Sequence, residues 1–232
     1  MDVLSSSAPP GPWQHSPPDE RARRELAALN DRFLEVIRLL ALAPAHAADN
    51  AEQDAHILGL DLTLAERVAH LPMARRRELA ACPYALVGVG LGDLEFWRQT
   101  AGPHGRPATY RRAPGGGSFS PAHAAALRDA LFLTLAYAWH LAQTAPVSAR
   151  WMLGACPEAL TLLRQLPFSS LGRIADECPG LLRARLADHR RFWNDLVSAV
   201  ASGAQQSRFA AVSLGLQLSA AAGAPRNREG TS

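Results

Sequence analysis

The chain repeats itself, and that constrains its architecture more than any other feature. Leu58-Gly59, Leu71-Pro72, Cys82-Pro83 and Phe96-Trp97 recur in the same order as Leu153-Gly154, Leu166-Pro167, Cys178-Pro179 and Phe192-Trp193. Glycine to proline is 13 residues in both series, and cysteine to phenylalanine is 14 in both. Only the step from proline to cysteine differs, 10 against 11. An internal repeat of this kind means that one supersecondary unit has been used twice, and the fold must be read as two diverged copies.

Each copy has the periodicity of helices. Leu127, Leu131, Leu135 and Ala138 recur at steps of four, four and three, which draws one apolar stripe along a long helix. The pattern predicts a long opening helix from Glu20 to Leu42 and another from Pro121 to Thr144. In each copy a shorter helix should then end near the Leu-Gly pair, with glycine as the left-handed cap. The Leu-Pro stops one short helix and starts the next, and the Cys-Pro breaks the chain before a last segment ending in Phe-Trp. The stretch Ala85 to Leu91 is the one strand-like candidate. The expected fold class is all-α, a tandem duplicated module packed as a single-chain pseudo-dimer, or as a homo-oligomer where the copies pair between chains.

Composition marks the boundaries. Residues 1–20 hold five prolines and should be disordered, residues 21–100 form the first copy, and residues 101–120, rich in glycine and proline, form a flexible linker. Residues 121–201 form the second copy, and residues 202–232 a frayed or loosely docked tail with an apolar patch from Phe209 to Leu218. Across the 232 residues, 48% are hydrophobic, enough for a core. The 24 basic residues are all arginine and face 21 acidic ones, so the net charge of +3 does not by itself point to nucleic acid. Three cysteines without CxxC spacing suit a reducing compartment rather than a disulfide scaffold. No signal-like start and no apolar run of membrane length are present, so a soluble, cytoplasmic protein with no membrane partner is expected.

The second copy carries a resemblance. The helix Leu127-Arg128-Asp129-Ala130-Leu131-Phe132-Leu133-Thr134-Leu135-Ala136-Tyr137-Ala138 leads to Ala149-Arg150-Trp151-Met152-Leu153-Gly154. Then come Ala159-Leu160-Thr161-Leu162-Leu163-Arg164-Gln165-Leu166 and Leu171-Gly172-Arg173-Ile174-Ala175. This order resembles the FlhD family, the D subunit of the bacterial flagellar master transcriptional activator. It covers most of the second copy and, more weakly, the first. The resemblance implies a small all-helical dimer that acts on promoter DNA in a hetero-oligomer with a zinc-binding, FlhC-like partner subunit. The family has one copy per chain, whereas here two are linked, and the arginines and cysteines do not map onto its functional residues. The target genes, flagellar or those of a mobile element, are therefore open.

The residues themselves offer three candidate sites. Arg75, Arg76 and Arg77 follow Pro72 in a short helix and fan round it at about 100° per residue. Those that reach solvent can contact phosphates, giving affinity rather than base readout. Otherwise the triplet is a solvated helix face. Arg183, Arg185, Arg190 and Arg191 interleave with Phe192 and Trp193, a pattern that suits nucleic acid but also arises where a helix buries its aromatics. Cys82 and Cys178 occupy equivalent places, so they form either a reversible thiol pair or two buried thiols. No HExxH, phosphate loop or GxSxG occurs, and no histidine sits at ligand spacing from a cysteine or carboxylate. We therefore expect no catalytic residues, no cofactor and no metal site. The leading expectation is a regulator subunit, not an enzyme. The alternative is a helical protein-binding adaptor or chaperone-like protein that does not touch DNA. If the arginine triplet is exposed on one face with Arg67 or Arg38, DNA contact gains; if it pairs with acidic neighbours, the adaptor gains.

Overall fold

The computed structural model of the chain describes residues 20–43, 58–102 and 121–222. The segment expected to be disordered, but for Glu20, and nearly all of the linker lie outside the described residues. In the first copy α1 (Glu20–Ala41) is followed by α2 (Leu62–Ala69), α3 (Met73–Ala80), β1 (Val87–Gly88) and α4 (Leu94–Ala101). In the second, α5 (Pro121–Thr144) leads to α6 (Pro146–Leu153), α7 (Pro157–Gln165), α8 (Ser169–Glu177), a 3₁₀ turn (Pro179–Leu181), β2 (Arg183–Ala184) and α9 (Arg190–Ser202). A last helix, α10 (Gln205–Ala222), closes the described chain. The fold is all-α, as expected, and β1 falls inside the strand-like stretch.

The two copies are built alike down to single positions. Every buried residue of α1 except Val36 has a buried counterpart 101 residues later in α5, from Leu26 and Leu127 to Leu40 and Leu141. The short helices use the same caps with different chemistry. The Asp61 carboxylate accepts from the Leu64 amide at 2.9 Å, and Cys156 Sγ at the equivalent place accepts from the Ala159 amide at 3.4 Å. The backbone turns left-handed at Gly59 (φ 83°) and Gly154 (φ 64°), and again at Gly90 (φ 62°) and its counterpart Leu186 (φ 59°). A leucine tolerates that region poorly, so its presence shows how strongly the repeated geometry is imposed.

The copies also interlock. The long helices α1 and α5 pack on each other, and each carries two short helices of its own copy, α2 and α3 on α1, α7 and α8 on α5. The last helix of each copy crosses over: α4 lies against α7, and α9 lies against α2. The Phe-Trp pairs anchor these crossings. Trp97 and Trp193 are fully buried, and their indole N–H groups donate to Gly90 O at 2.9 Å and Arg185 O at 2.7 Å. Between the copies β1 and β2 pair antiparallel, Val87 with Ala184 and Gly88 with Arg183. Counted from the Cys-Pro pairs, Val87 is equivalent to Arg183 and Gly88 to Ala184. Exchanging the copies therefore maps this small ladder onto itself.

The tail differs from expectation. Gly203, left-handed at φ 71°, reverses the chain after α9, and α10 folds back on α9 and α6. Its buried positions are small, Ala211, Gly215 and Ser219, at steps of four. A Cβ at Gly215 would collide with the Tyr84 hydroxyl and the Phe192 ring. Close approach through small residues, rather than burial of large ones, is what docks this helix, and hydropathy alone does not reveal it.

Candidate protein-docking surface

The arginines singled out in the sequence do not converge. Arg75 pairs with Glu78 at 3.0 Å on its own helix, and Arg76 reaches across to α1, 3.3 Å from Asp31 and 2.8 Å from Glu35. Arg77 alone of the triplet is exposed. Arg67 donates to Asn194 and Ser198 on α9 at 2.7 Å each, and Arg38 pairs with Glu35 at 2.7 Å. Glu35 is thus held between two guanidiniums, and its carboxyl lies below its usual range, chiefly through the Arg38 hydrogen bond, against the opposing cost of burial. These basic residues tie helices together: Arg75 and Arg76 pair with acidic neighbours, and Arg75, Arg76 and Arg77 do not form one basic face with Arg67 or Arg38.

The second basic cluster also separates. Arg183 is exposed on β2, and Arg191 is exposed with Asp195 at 3.4 Å. The Arg190 side chain lies outside the described residues. Arg185 points inward, the opposite of a surface contact. Its guanidinium donates to Met152 O and, at 3.4 Å, to Ala85 O, and lies 5.8 Å from the centre of the Tyr84 ring. Met152 lies in the last turn of α6, where carbonyls without an intrahelical partner give the helix terminus its negative character, so a cation there is favoured. Burial pulls the Arg185 guanidinium down to about 10, still charged at neutral pH. Gly154 must lack a side chain because a Cβ would run into that guanidinium.

Cys82 and Cys178 are both buried and reduced, so the disulfide form of the pair is not present. Burial pushes the Cys82 thiol up to about 12. The nucleophile in thiol chemistry is the thiolate, so Cys82 should be inert at neutral pH. Cys156, half-buried, should react first. With the folded chain and a chromogenic disulfide reagent at pH 7.5, we expect one fast thiol, abolished by Cys156→Ser. Fast labelling that survives this substitution would show that the core opens readily.

What the sequence reading missed emerges once α1 and α5 are set in register. Asp31, Arg32, Glu35 and Arg38 of the first copy correspond to Phe132, Leu133, Ala136 and Trp139 of the second. Across the same contact, counted from the Leu-Pro pairs, Met73 and Arg76 correspond to Phe168 and Leu171. An ionic surface in one copy is an apolar, aromatic surface in the other. The Phe168 ring lies 6.0 Å from Phe132 and 5.5 Å from Trp139, both edge-on, within the range where aromatic pairs attract. Phe168 is 51% exposed and Leu133 47%. The Trp139 indole N–H donates to Leu166 O at 2.9 Å, which fixes the centre of the cluster on the turn between α7 and α8. The signal was present in the sequence but needed the helices aligned position by position, whereas the Gly, Pro, Cys and Trp landmarks alone do not reveal it.

Among the described residues no group of three or more histidine, cysteine or acidic side chains could hold a metal. No described helix is long and apolar enough to cross a membrane. Neither a protein-family model, nor a curated protein, nor a solved structure matches this chain.

Proposed function

We propose that the chain is a protein-binding adaptor. In this reading it is a single-chain pseudo-dimer that presents the aromatic surface of its second copy, around Phe132, Trp139 and Phe168, to a partner protein. The observation that carries the reading is the exchange of Asp31, Glu35, Arg38 and Arg76 for Phe132, Ala136, Trp139 and Leu171 at matching positions. Core packing does not require it, because the ionic version closes the same helix contact in the first copy through Arg76. Aromatic residues are enriched in the buried centres of interfaces, where a few of them dominate affinity. The internal pairing of Arg75 and Arg76 favours the same conclusion, since paired arginines are poor phosphate contacts.

A second reading, a regulator subunit of the type that the FlhD resemblance implies, draws support from exposed Arg77 and Arg183, both open to phosphates.

The test uses a photo-crosslinking residue placed at Leu133 of the full chain in its native host, with a second probe at Arg77. The adaptor reading expects one partner crosslinked from Leu133 and not from Arg77. It also expects Phe168→Ser, at an exposed position, to weaken the binding of the purified partner by about tenfold or more. A salt-sensitive shift of DNA by the chain or its complex, weakened by Arg77→Ser and unaffected by Phe168→Ser, would replace the adaptor with the regulator. Removing one phosphate contact should flatten the salt dependence by about one ion.

A further inference from the structure

A groove of about 260 Å³ runs between the end of α3, α9 and the first half of α10. Its walls are mostly apolar, with Leu196 and Val200 from α9 and Phe209 and Val212 from α10. Phe209 is 75% exposed, the most exposed large apolar side chain among the described residues, and it stands at the rim. Glu78 and Arg208 supply the charge. Arg75 occupies Glu78 from the other side, touching both carboxylate oxygens at 3.0 and 3.1 Å, while Arg208 reaches only one of them at 3.4 Å. Two guanidiniums thus share one carboxylate. The cluster carries one net positive charge, and Arg208 is the loosely held partner with most of its five donors unused.

We propose that this groove binds a medium-chain aliphatic carboxylate, with Arg208 holding the carboxylate and the α9–α10 walls taking the chain. The volume lies below the usual range for drug-sized ligands, about 300–1,000 Å³, and suits a slim alkyl chain better than a ring system. The charge decides the head group. A neutral alcohol leaves the positive charge uncompensated, whereas a carboxylate gives Arg208 the bidentate, charge-assisted partner that Glu78 does not. The site has no counterpart at the equivalent place in the second copy. The positions equivalent to Arg75 and Glu78 are Ser170 and Arg173, so the second copy lacks the carboxylate that organises the two arginines. It is also separate from the aromatic surface on α5 and α8.

Calorimetric titration of the full chain with decanoate tests this, with decanol and acetate as controls at fixed ionic strength. We expect one saturable site for decanoate, binding at least about tenfold weaker for decanol, and none for acetate. Arg208→Gln should weaken decanoate by about tenfold and leave decanol unchanged, the sign that the carboxylate is read by charge. Phe209→Ser removes an exposed side chain, so the fold should persist, and it should weaken both ligands. Equal affinity for decanoate and decanol would overturn the proposal, as would the absence of a saturable site. Affinity that survives both substitutions would place the ligand elsewhere and overturn it equally. If Arg208→Gln loosens α10, the decanol comparison and Phe209→Ser still decide.

Discussion

Replacing Asn30 by leucine is expected to destabilise the protein by about 3 kcal/mol or more, although leucine is what the second copy carries at the equivalent position, Leu131. Asn30 is fully buried in α1, and its side chain makes three hydrogen bonds to backbone. Its amide nitrogen donates to Ala80 O at 3.0 Å and Tyr84 O at 3.1 Å, and its oxygen accepts from the Leu86 amide at 2.8 Å. Ala80 O lies at the end of α3, and Tyr84 O and the Leu86 amide belong to the irregular stretch after Cys82. Each buried polar group left unpaired costs about 1–3 kcal/mol. In the second copy the amide equivalent to that of Leu86, the amide of Leu182, finds its partner within the turn instead. The Leu181 amide donates to Cys178 O at 3.0 Å and the Leu182 amide to Pro179 O at 3.2 Å, forming the 3₁₀ turn. At about 2–4 °C per kcal/mol for a chain of this size, Asn30→Leu should lower the melting temperature by roughly 6–12 °C. A shift of a degree or two would mean that water or a rearranged turn replaces the side chain.

The second large effect concerns the two tryptophans. Trp97→Ala and Trp193→Ala should each cost about 3–5 kcal/mol, the usual range for emptying a buried aromatic site, before counting the lost indole hydrogen bond. The informative quantity is the shape of the unfolding transition. Trp97 sits on α4, which packs against α7 of the other copy and aims Arg98 at Glu158 there, 3.5 Å away. Trp193 sits on α9, which packs against α2, where Arg67 reaches Asn194. Loosening either helix should loosen both copies. Calorimetry should therefore show a single transition, shifted down, for each variant. A variant that splits into two transitions, one at the original temperature, would show that the copies fold independently despite their crossed helices.

The helices were legible because their signals are local. Pro121, Pro146 and Pro157 open α5, α6 and α7, and Gly154 and Gly203 end α6 and α9 in the left-handed conformation. The repeat was legible because glycine, proline and tryptophan sit at places that backbone geometry and core volume make hard to vary. The destinations of the arginines were not legible. Arg76 and Glu35 are 41 residues apart and Arg185 and Met152 are 33 apart, so partnerships of this kind exist only once the helices are packed. The docking of α10 escaped for a related reason. A helix whose inward residues are Ala211, Gly215 and Ser219 has no apolar stripe to read, only room for Tyr84 and Phe192 to come close.

The self-mapping ladder of Val87, Gly88, Arg183 and Ala184 has a consequence for valency. In a dimer of identical chains, every substitution is written twice, and any docking surface appears on both halves. Linking the halves in one chain removes that obligation, so each half can drift alone while the shared centre stays fixed. One side of α5 is aromatic while its twin on α1 is charged. If that side is the docking surface proposed above, one chain offers one seat, and a complex built on it has a direction, with one partner on one side and none on the other.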